Sequence, residues 1–400
     1  MIPSPVAAPS SYSISRYDQA INASASRLRS GLPFAVLAAL AAAVVLAPEA
    51  KASNATWSLT LNGTWATDLN WSTALAPGAT SGTASTDIAT FDQSLTGNRT
   101  VTVDTNRNIG GITFGSNNSA FSYLLSGGNL LLSNAGVIQV TGTATSGTHT
   151  DFVSSATQIQ GDGGAATFTS GGANTRSLNI GAVTGVSIAS NTTSLTLNGT
   201  STSTANAVSG IIGDGAGGGK VSVTKSGAGT WALSAANTYS GGTTVNGGRI
   251  LVGVSSTFAS GAVTSGAVGK GDVTFADGVT LAATGNFAVG ATKFTLNGDI
   301  KIGASGSTSR LVMNGPFDLA GTAASNGSSG TVRTLTLFNP VLATAFTGGT
   351  SGTNQLGLEV QTNGPAITIA NGTLRLAADA GVGATSFAVA QIGAVSFTCN

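Results

Sequence analysis

The chain has 400 residues, 57 of them glycine, with 8% charged and 41% hydrophobic side chains; an average globular protein is about 25% charged. Disorder needs low hydrophobicity, usually with high net charge, and a net charge of +1 beside this apolar content argues against it. Beyond residue 52, twelve basic side chains stand against thirteen acidic ones, so no basic stripe is left to neutralise phosphates and no nucleic-acid partner is expected.

Arg27 and Arg29 precede an apolar run from Leu32 to Leu46, followed by Pro48-Glu49-Ala50-Lys51-Ala52. A basic stretch, an apolar stretch and an Ala-x-Ala site make a secretory signal. Residues 1–52 are therefore expected to be a signal peptide with an extended n-region, cleaved after Ala52. Sec-type export machinery and signal peptidase are the partners this implies. The apolar run of about 15 residues is short for a membrane span, which needs ~20; an uncleaved anchor is the competing reading.

From Trp57 onward the pattern is strand-like. Trp57, Leu59 and Leu61 alternate with polar residues. Asn62-Gly63 reads as a tight turn, since both residues tolerate positive φ. Trp65 and Trp71 follow. Residues 53–145 are expected to form a Trp-rich β region that caps a stacked core, as a repeat array needs a distinct terminal unit. Trp65 and Trp71 are also candidate glycan contacts, which would make a surface glycan a partner. Further short strands are expected at 87–91, 99–104, 111–114, 121–125, 129–132, 137–140, 166–169, 177–180, 186–188, 194–197, 220–224, 231–233, 243–245 and 249–252. They continue at 272–275, 279–282, 293–296, 300–302, 310–313, 331–338, 356–360, 366–369 and 373–376. Clusters of Ser, Asn and Gly separate them. No sustained helical period is found after Ala52. Starts about 8 to 12 residues apart mark an all-β chain.

A sandwich and a solenoid share that spacing. A recurring phrase favours the solenoid: Leu59-Thr-Leu-Asn-Gly-Thr64, Leu195-Thr-Leu-Asn-Gly-Thr200 and Phe294-Thr-Leu-Asn-Gly-Asp299. One coil cannot bury its own apolar side chains, so coils above and below must complete the core. Stacked corners bring equivalent side chains within about 4.8 Å, which disfavours charge and favours Asn, Ser and Thr. Asn ladders along the stack are expected to follow. The expected fold is all-β, a right-handed single-stranded parallel β-helix (β-solenoid) after the signal peptide. Residues 146–400 carry its body, and coils of ~20–25 residues would give the whole chain beyond Ala52 roughly 14–17 of them.

The clearest coil is Lys225-Ser-Gly-Ala-Gly-Thr-Trp-Ala-Leu-Ser-Ala-Ala-Asn-Thr-Tyr-Ser-Gly-Gly-Thr-Thr-Val-Asn-Gly-Gly-Arg-Ile-Leu-Val252. It closely resembles the autotransporter-associated β-strand repeat, also called the passenger-associated transport repeat. The matching positions are Lys225, Gly227, Gly229, Thr230, Trp231, Leu233, Asn237, Tyr239, Gly241, Gly242, Val245, Gly247 and Gly248. The resemblance implies a β-helical passenger, exported and then displayed or released; the role expected for it, at the cell surface, at the outer membrane or outside the cell, is structural, adhesive or display and non-enzymatic. It also implies an outer-membrane transport partner. The C-terminal β-barrel translocator of such passengers has no counterpart in residues 320–400, which lack its run of amphipathic strands.

Chemistry-bearing residues are sparse, and no catalytic, metal or cofactor site is expected. Asp87, Asp92, Asp104, Asp151, Asp162 and Asp214 are the carboxylates a polysaccharide-active β-helix enzyme would draw on, as a pair about 5–10 Å apart. Asp162 and Asp214 lie in Asp-Gly turns, for which ordinary turn chemistry suffices. His149, the single histidine, reads as a solvated loop residue. Gly213, Gly215 and Gly218 spell a dinucleotide-binding pattern, but no helix follows to meet a pyrophosphate. Cys399 stands alone, which excludes an internal disulfide and a cysteine-based zinc site. The two remaining alternatives are the polysaccharide-active enzyme and a carbohydrate-binding module.

Overall fold

In the computed structural model the described residues are 54–304, apart from 116–119, 143–147, 172–175 and 299, together with 309, 311–315 and 317–318. The backbone of 332–337 and 373–377 is described as well. The expected signal peptide, the expected strands at 356–360 and 366–369, and Cys399 lie outside these residues.

Alternation of apolar and polar residues makes each strand two-faced, and parallel stacking seals the apolar face. One sheet runs Ala55–Thr56, Ile88–Phe91, Arg107–Phe114, Asn129–Val140, Ala165–Ser170, Thr192–Gly199, Lys220–Lys225, Thr243–Val245, Val273–Phe275, Phe294–Leu296 and Phe317–Asp318. A second runs Gly63–Thr64, Arg99–Val103, Tyr123–Gly127, His149–Val153, Arg176–Ile180, Ala207–Val208, Thr230–Leu233, Arg249–Val252, Thr280–Ala283, Ile300–Ile302, Val332–Leu337 and Thr373–Ala377. Consecutive members of each sheet are paired in parallel. The chain therefore visits the two sheets in alternation and stacks coil on coil as a β-solenoid. A third face appears where Ala156–Ile159, Val183–Gly185 and Ile212–Gly213 pair in parallel between the sheets.

Coil length departs from the expected ~20–25 residues. The step from Lys225 to its register partner Val245 lies at the short end of that range, but the next step, from Val245 to Phe275, exceeds it. The longer coil carries an antiparallel hairpin, Thr257–Ala259 with Ala262–Ser265, thrown out from a corner. Among the described residues the second sheet counts twelve strands.

The main core is one continuous column, and a smaller row, Ala207, Ala232, Leu251 and Ala282, is buried on the other face of the second sheet. Phe91 stacks on Phe114 at 5.5 Å and touches Tyr123 at 5.2 Å. Phe168, Leu197, Val223 and Val245 continue it, all fully buried. In the first coil Trp57, Trp65 and Trp71 pack on one another and on Phe91, with centroids 5.0 to 6.1 Å apart. Gly63 is not the positive-φ turn residue the Asn-Gly pair suggests. It opens the strand Gly63–Thr64, and a Cβ there would come within 2.9 Å of the Trp57 ring. Its value is room for an indole.

The asparagines do not form the expected general Asn-on-Asn ladder; Asn129 Nδ2 to Asn106 Oδ1 at 3.1 Å is such a contact. Their common role is different. The side-chain oxygen accepts a backbone N–H from a neighbouring coil: Asn62 from Thr100, Asn98 from Ser122, Asn134 from Ala165 and Asn206 from Leu178, at 2.9 to 3.1 Å. At corners, where the strand ladder lapses, an amide side chain takes the place of the missing carbonyl.

Phe168→Ala should lower stability by about 3–5 kcal/mol, because no neighbour can fill a cavity in a closed column. Thr102→Ala, on an exposed position of the second sheet, should stay within about 0.5 kcal/mol. Urea unfolding of the full chain compares the two.

Candidate functional site

The coil from Lys225 to Val252 brings the motif residues together around two corners. Gly227 and Gly248 have φ of +68° and +64°, the left-handed region where glycine is favoured. A Cβ on Gly248 would also collide with the Gly229 carbonyl oxygen of the preceding coil. These corners are tight enough to turn carbonyls inward, and Lys225 answers them. Its side chain is fully buried, and Nζ donates to the carbonyls of Ser226 at 2.6 Å, Gly227 at 2.8 Å and Gly247 at 3.0 Å. All three ammonium protons are used, and two successive coils are held together. Burial pushes the Lys225 amine down to about 8.

Asn237, fully buried, works across three coils. Its Oδ1 accepts the Ile212 N–H at 2.8 Å, and its Nδ2 donates to the Ala267 carbonyl at 2.7 Å. Tyr239 lies in the interior, not over the Gly241-Gly242 turn. Its hydroxyl donates to Thr243 Oγ1 at 2.6 Å, and Thr243 in turn donates to the Val268 carbonyl at 2.9 Å. Trp231 Nε1 donates to the Asn198 carbonyl at 2.9 Å. Trp231, Leu233 and Val245 face the core, Thr230 is buried on the opposite face of its strand, and Gly229, Gly241 and Gly247 lie against the backbone of the preceding coil. The inward polar groups of Lys225, Trp231 and Asn237 end on backbone, and that of Tyr239 on Thr243.

A second polar node went unread in the sequence. His149 is not a loop residue. It opens the strand His149–Val153, where it and Asp151 point inward and are buried. Arg176, on the next coil, is in register with His149, and its Nε donates to Asp151 Oδ2 at 2.8 Å. A second guanidinium nitrogen donates to the Gly115 carbonyl. Asp151 Oδ1 accepts the Tyr123 N–H from the coil before. His149 Nε2 lies 3.8 Å from Asp151 Oδ2. Burial lowers the imidazole's pKa despite that carboxylate, so the ring stays neutral at pH 7.

The remaining carboxylates are spread along the stack. Asp87 accepts the Gly78 N–H, and Asp104 takes Arg107 with both oxygens. Asp162 accepts the Ile188 N–H and Asn191 Nδ2. Asp214 accepts N–H groups of Val221 and Ser240 and the Ser240 hydroxyl. Asp92 is exposed. Trp65 and Trp71, the candidate glycan contacts, are 0% and 2% exposed. Their indole N–H groups are spent on the carbonyls of Pro77 and Trp65. A sugar has no ring face to stack on here, and packing of the first coil accounts for both residues.

The family model of the passenger-associated-transport-repeat matches residues 223–252, the coil built around Lys225 and Asn237. No curated protein and no solved structure matches the chain.

Asp151→Asn should strand the buried Arg176 charge and cost about 3–5 kcal/mol, read as a fall in the unfolding midpoint. Asp151→Asn with Arg176→Met should recover part of it. For Lys225 the folded pKa of about 8 lies below an unfolded value near 10.4. The unfolded chain then binds more protons in that window, so this residue makes stability rise with pH above about 8. Buried Tyr123 and Tyr239 have raised pKa values and act oppositely above about pH 10, where the unfolded phenols ionise. Lys225→Met should lack the rise between pH 8 and 10 when denaturation midpoints are compared with wild type.

Proposed function

We propose that this chain is an exported β-solenoid passenger that serves as a non-enzymatic stalk for display or adhesion at the cell surface. The observation that carries the reading is the matched transport repeat lying as one regular coil within an uninterrupted stack. Its motif residues act on neighbouring coils and not on a cleft, so their work is to extend and lock a rod. The tryptophan-packed first coil is the cap of that rod, and the carboxylates an enzyme would need are dispersed among structural contacts. Residues 1–52 supply the export signal in this reading.

Expression of the full chain in a Gram-negative host tests it. Signal peptidase should cut after Ala52, leaving Ser53 as the N-terminus by mass spectrometry of the exported protein. Ala50→Leu with Ala52→Leu should leave the leader attached and the protein at the inner membrane. Wild-type protein that stays in the cytoplasm with residues 1–52 intact would end the proposal.

A further inference from the structure

The outer face of the first sheet carries a feature that the stalk reading leaves unused. Thr167, Thr196, Thr224, Thr244, Thr274 and Thr295 occupy the same register position on six consecutive coils. Val137 precedes the row and Asp318 follows it. Each of the six is half-buried, which is the state of a side chain flanked by its own equivalents on an open sheet. The hydroxyls of Thr167, Thr196, Thr224, Thr244 and Thr274 have no hydrogen-bond partner among the described residues. Two positions further along come Thr169, Asn198, Ser226 and Asn246 on the first four strands, all uncharged and polar, then Ala276 and Asn297; two positions before the row, Ala165, Ser194, Ser222 and Gly242 are uncharged, and Asp272 and Lys293 flank its last two threonines. The aromatic residues beside these threonines, Phe168, Phe275 and Phe294, turn inward and are buried.

The result is a two-row array with repeats of about 4.8 Å along the stack and about 6.7 Å across it. Register holds from coil to coil, so each threonine keeps its equivalent as nearest neighbour along the stack. Over the four coils from Thr167 to Thr244 this face carries no charge and offers little to a charged partner. A flexible neutral glycan would trade hydrogen bonds with water for equivalent ones, lose conformational freedom, and find no aromatic ring to stack on. A rigid lattice of hydrogen-bonding groups has no such freedom to lose. Threonine also presents a methyl beside each hydroxyl, which suits a surface of ordered water.

We infer that this threonine face binds crystalline water, adsorbing the protein to ice. The many individually weak contacts act together because both surfaces are rigid and periodic.

The test is ice-affinity partition of the full chain on a slowly grown ice surface, with ice recrystallisation followed under the microscope. Wild type should enrich in the ice and slow grain growth. Thr196→Lys with Thr244→Lys puts two ammonium groups into the row and should abolish both effects. Thr102→Lys, on the second sheet, should keep them. Thermal melts establish that each variant is folded. Exclusion of folded wild type from ice overturns the inference, as does enrichment that survives the double substitution. Sedimentation with insoluble cellulose and chitin runs in parallel. Binding there that depends on Thr196 and Thr244, without ice uptake, overturns the ice assignment and gives the face to a neutral glycan.

Discussion

Everything in this molecule follows from stacking in register. When coil lies on coil at about 4.8 Å, a side chain's nearest neighbour is the residue at the same place in the next coil. Inside, that proximity is favourable: rings lie on rings, as with Phe91 on Phe114 and Phe275 on Phe294. For charge it is unfavourable, because two like charges at that distance repel and cannot move apart. The low charge content and the uncharged threonine row are two sides of one constraint. Where charge does go inside, it is met at once: Asp151 by Arg176 of the adjacent coil, and Lys225 by three backbone carbonyls.

The corners pose the complementary problem. Strand ladders satisfy backbone groups only where coils run parallel and straight, yet each coil must turn several times. A buried backbone group left without a partner is costly. Here the shortfall is met by short side chains with an oxygen: Asn62, Asn98, Asn134, Asn206 and Asn237 stand in for a carbonyl of the neighbouring coil, and Asp151, Asp162 and Asp214 do the same with a carboxylate. Asn is abundant for this reason more than for pairing with itself.

The strands whose inward positions are apolar were legible. Thr243–Val245, Arg249–Val252 and Ile300–Ile302 lie where alternation puts them. The repeat coil was legible too, because its residue pattern is specific. What failed was any element that breaks the apolar-in rule. His149–Val153 points His149 and Asp151 inward, so alternation hides it, and Asp151's partner Arg176 sits a whole coil further along the chain. The strand expected at 186–188 is instead Val183–Gly185, because Ile188 faces solvent, 59% exposed, and the buried valine is Val183. Two-residue strands such as Ala207–Val208 are too short to show a period. In the repeat itself, the pattern named the residues but not their partners: nothing in a sequence says that the buried lysine will be met by carbonyls.

That lysine and the glycines around it are one device. A coil as short as the step from Lys225 to Val245 has no slack for a wide corner. Its turns must be made by residues free to take positive φ, and Gly227 and Gly248 supply them. Turning that sharply points the carbonyls of Ser226, Gly227 and Gly247 toward a common point inside the wall, where water cannot reach them. Three converging acceptors need a donor with three hydrogens on a long stem, and an ammonium provides it. Arginine's planar fork would aim its N–H groups apart, and a neutral amide has too few. The tightness of the coil thus demands the glycines, the glycines create the carbonyl cluster, and the cluster demands the lysine. The longer coil that carries the hairpin at 257–265 still turns on positive-φ glycines, Gly261 and Gly269. The tight coil is the one that holds a recognisable pattern.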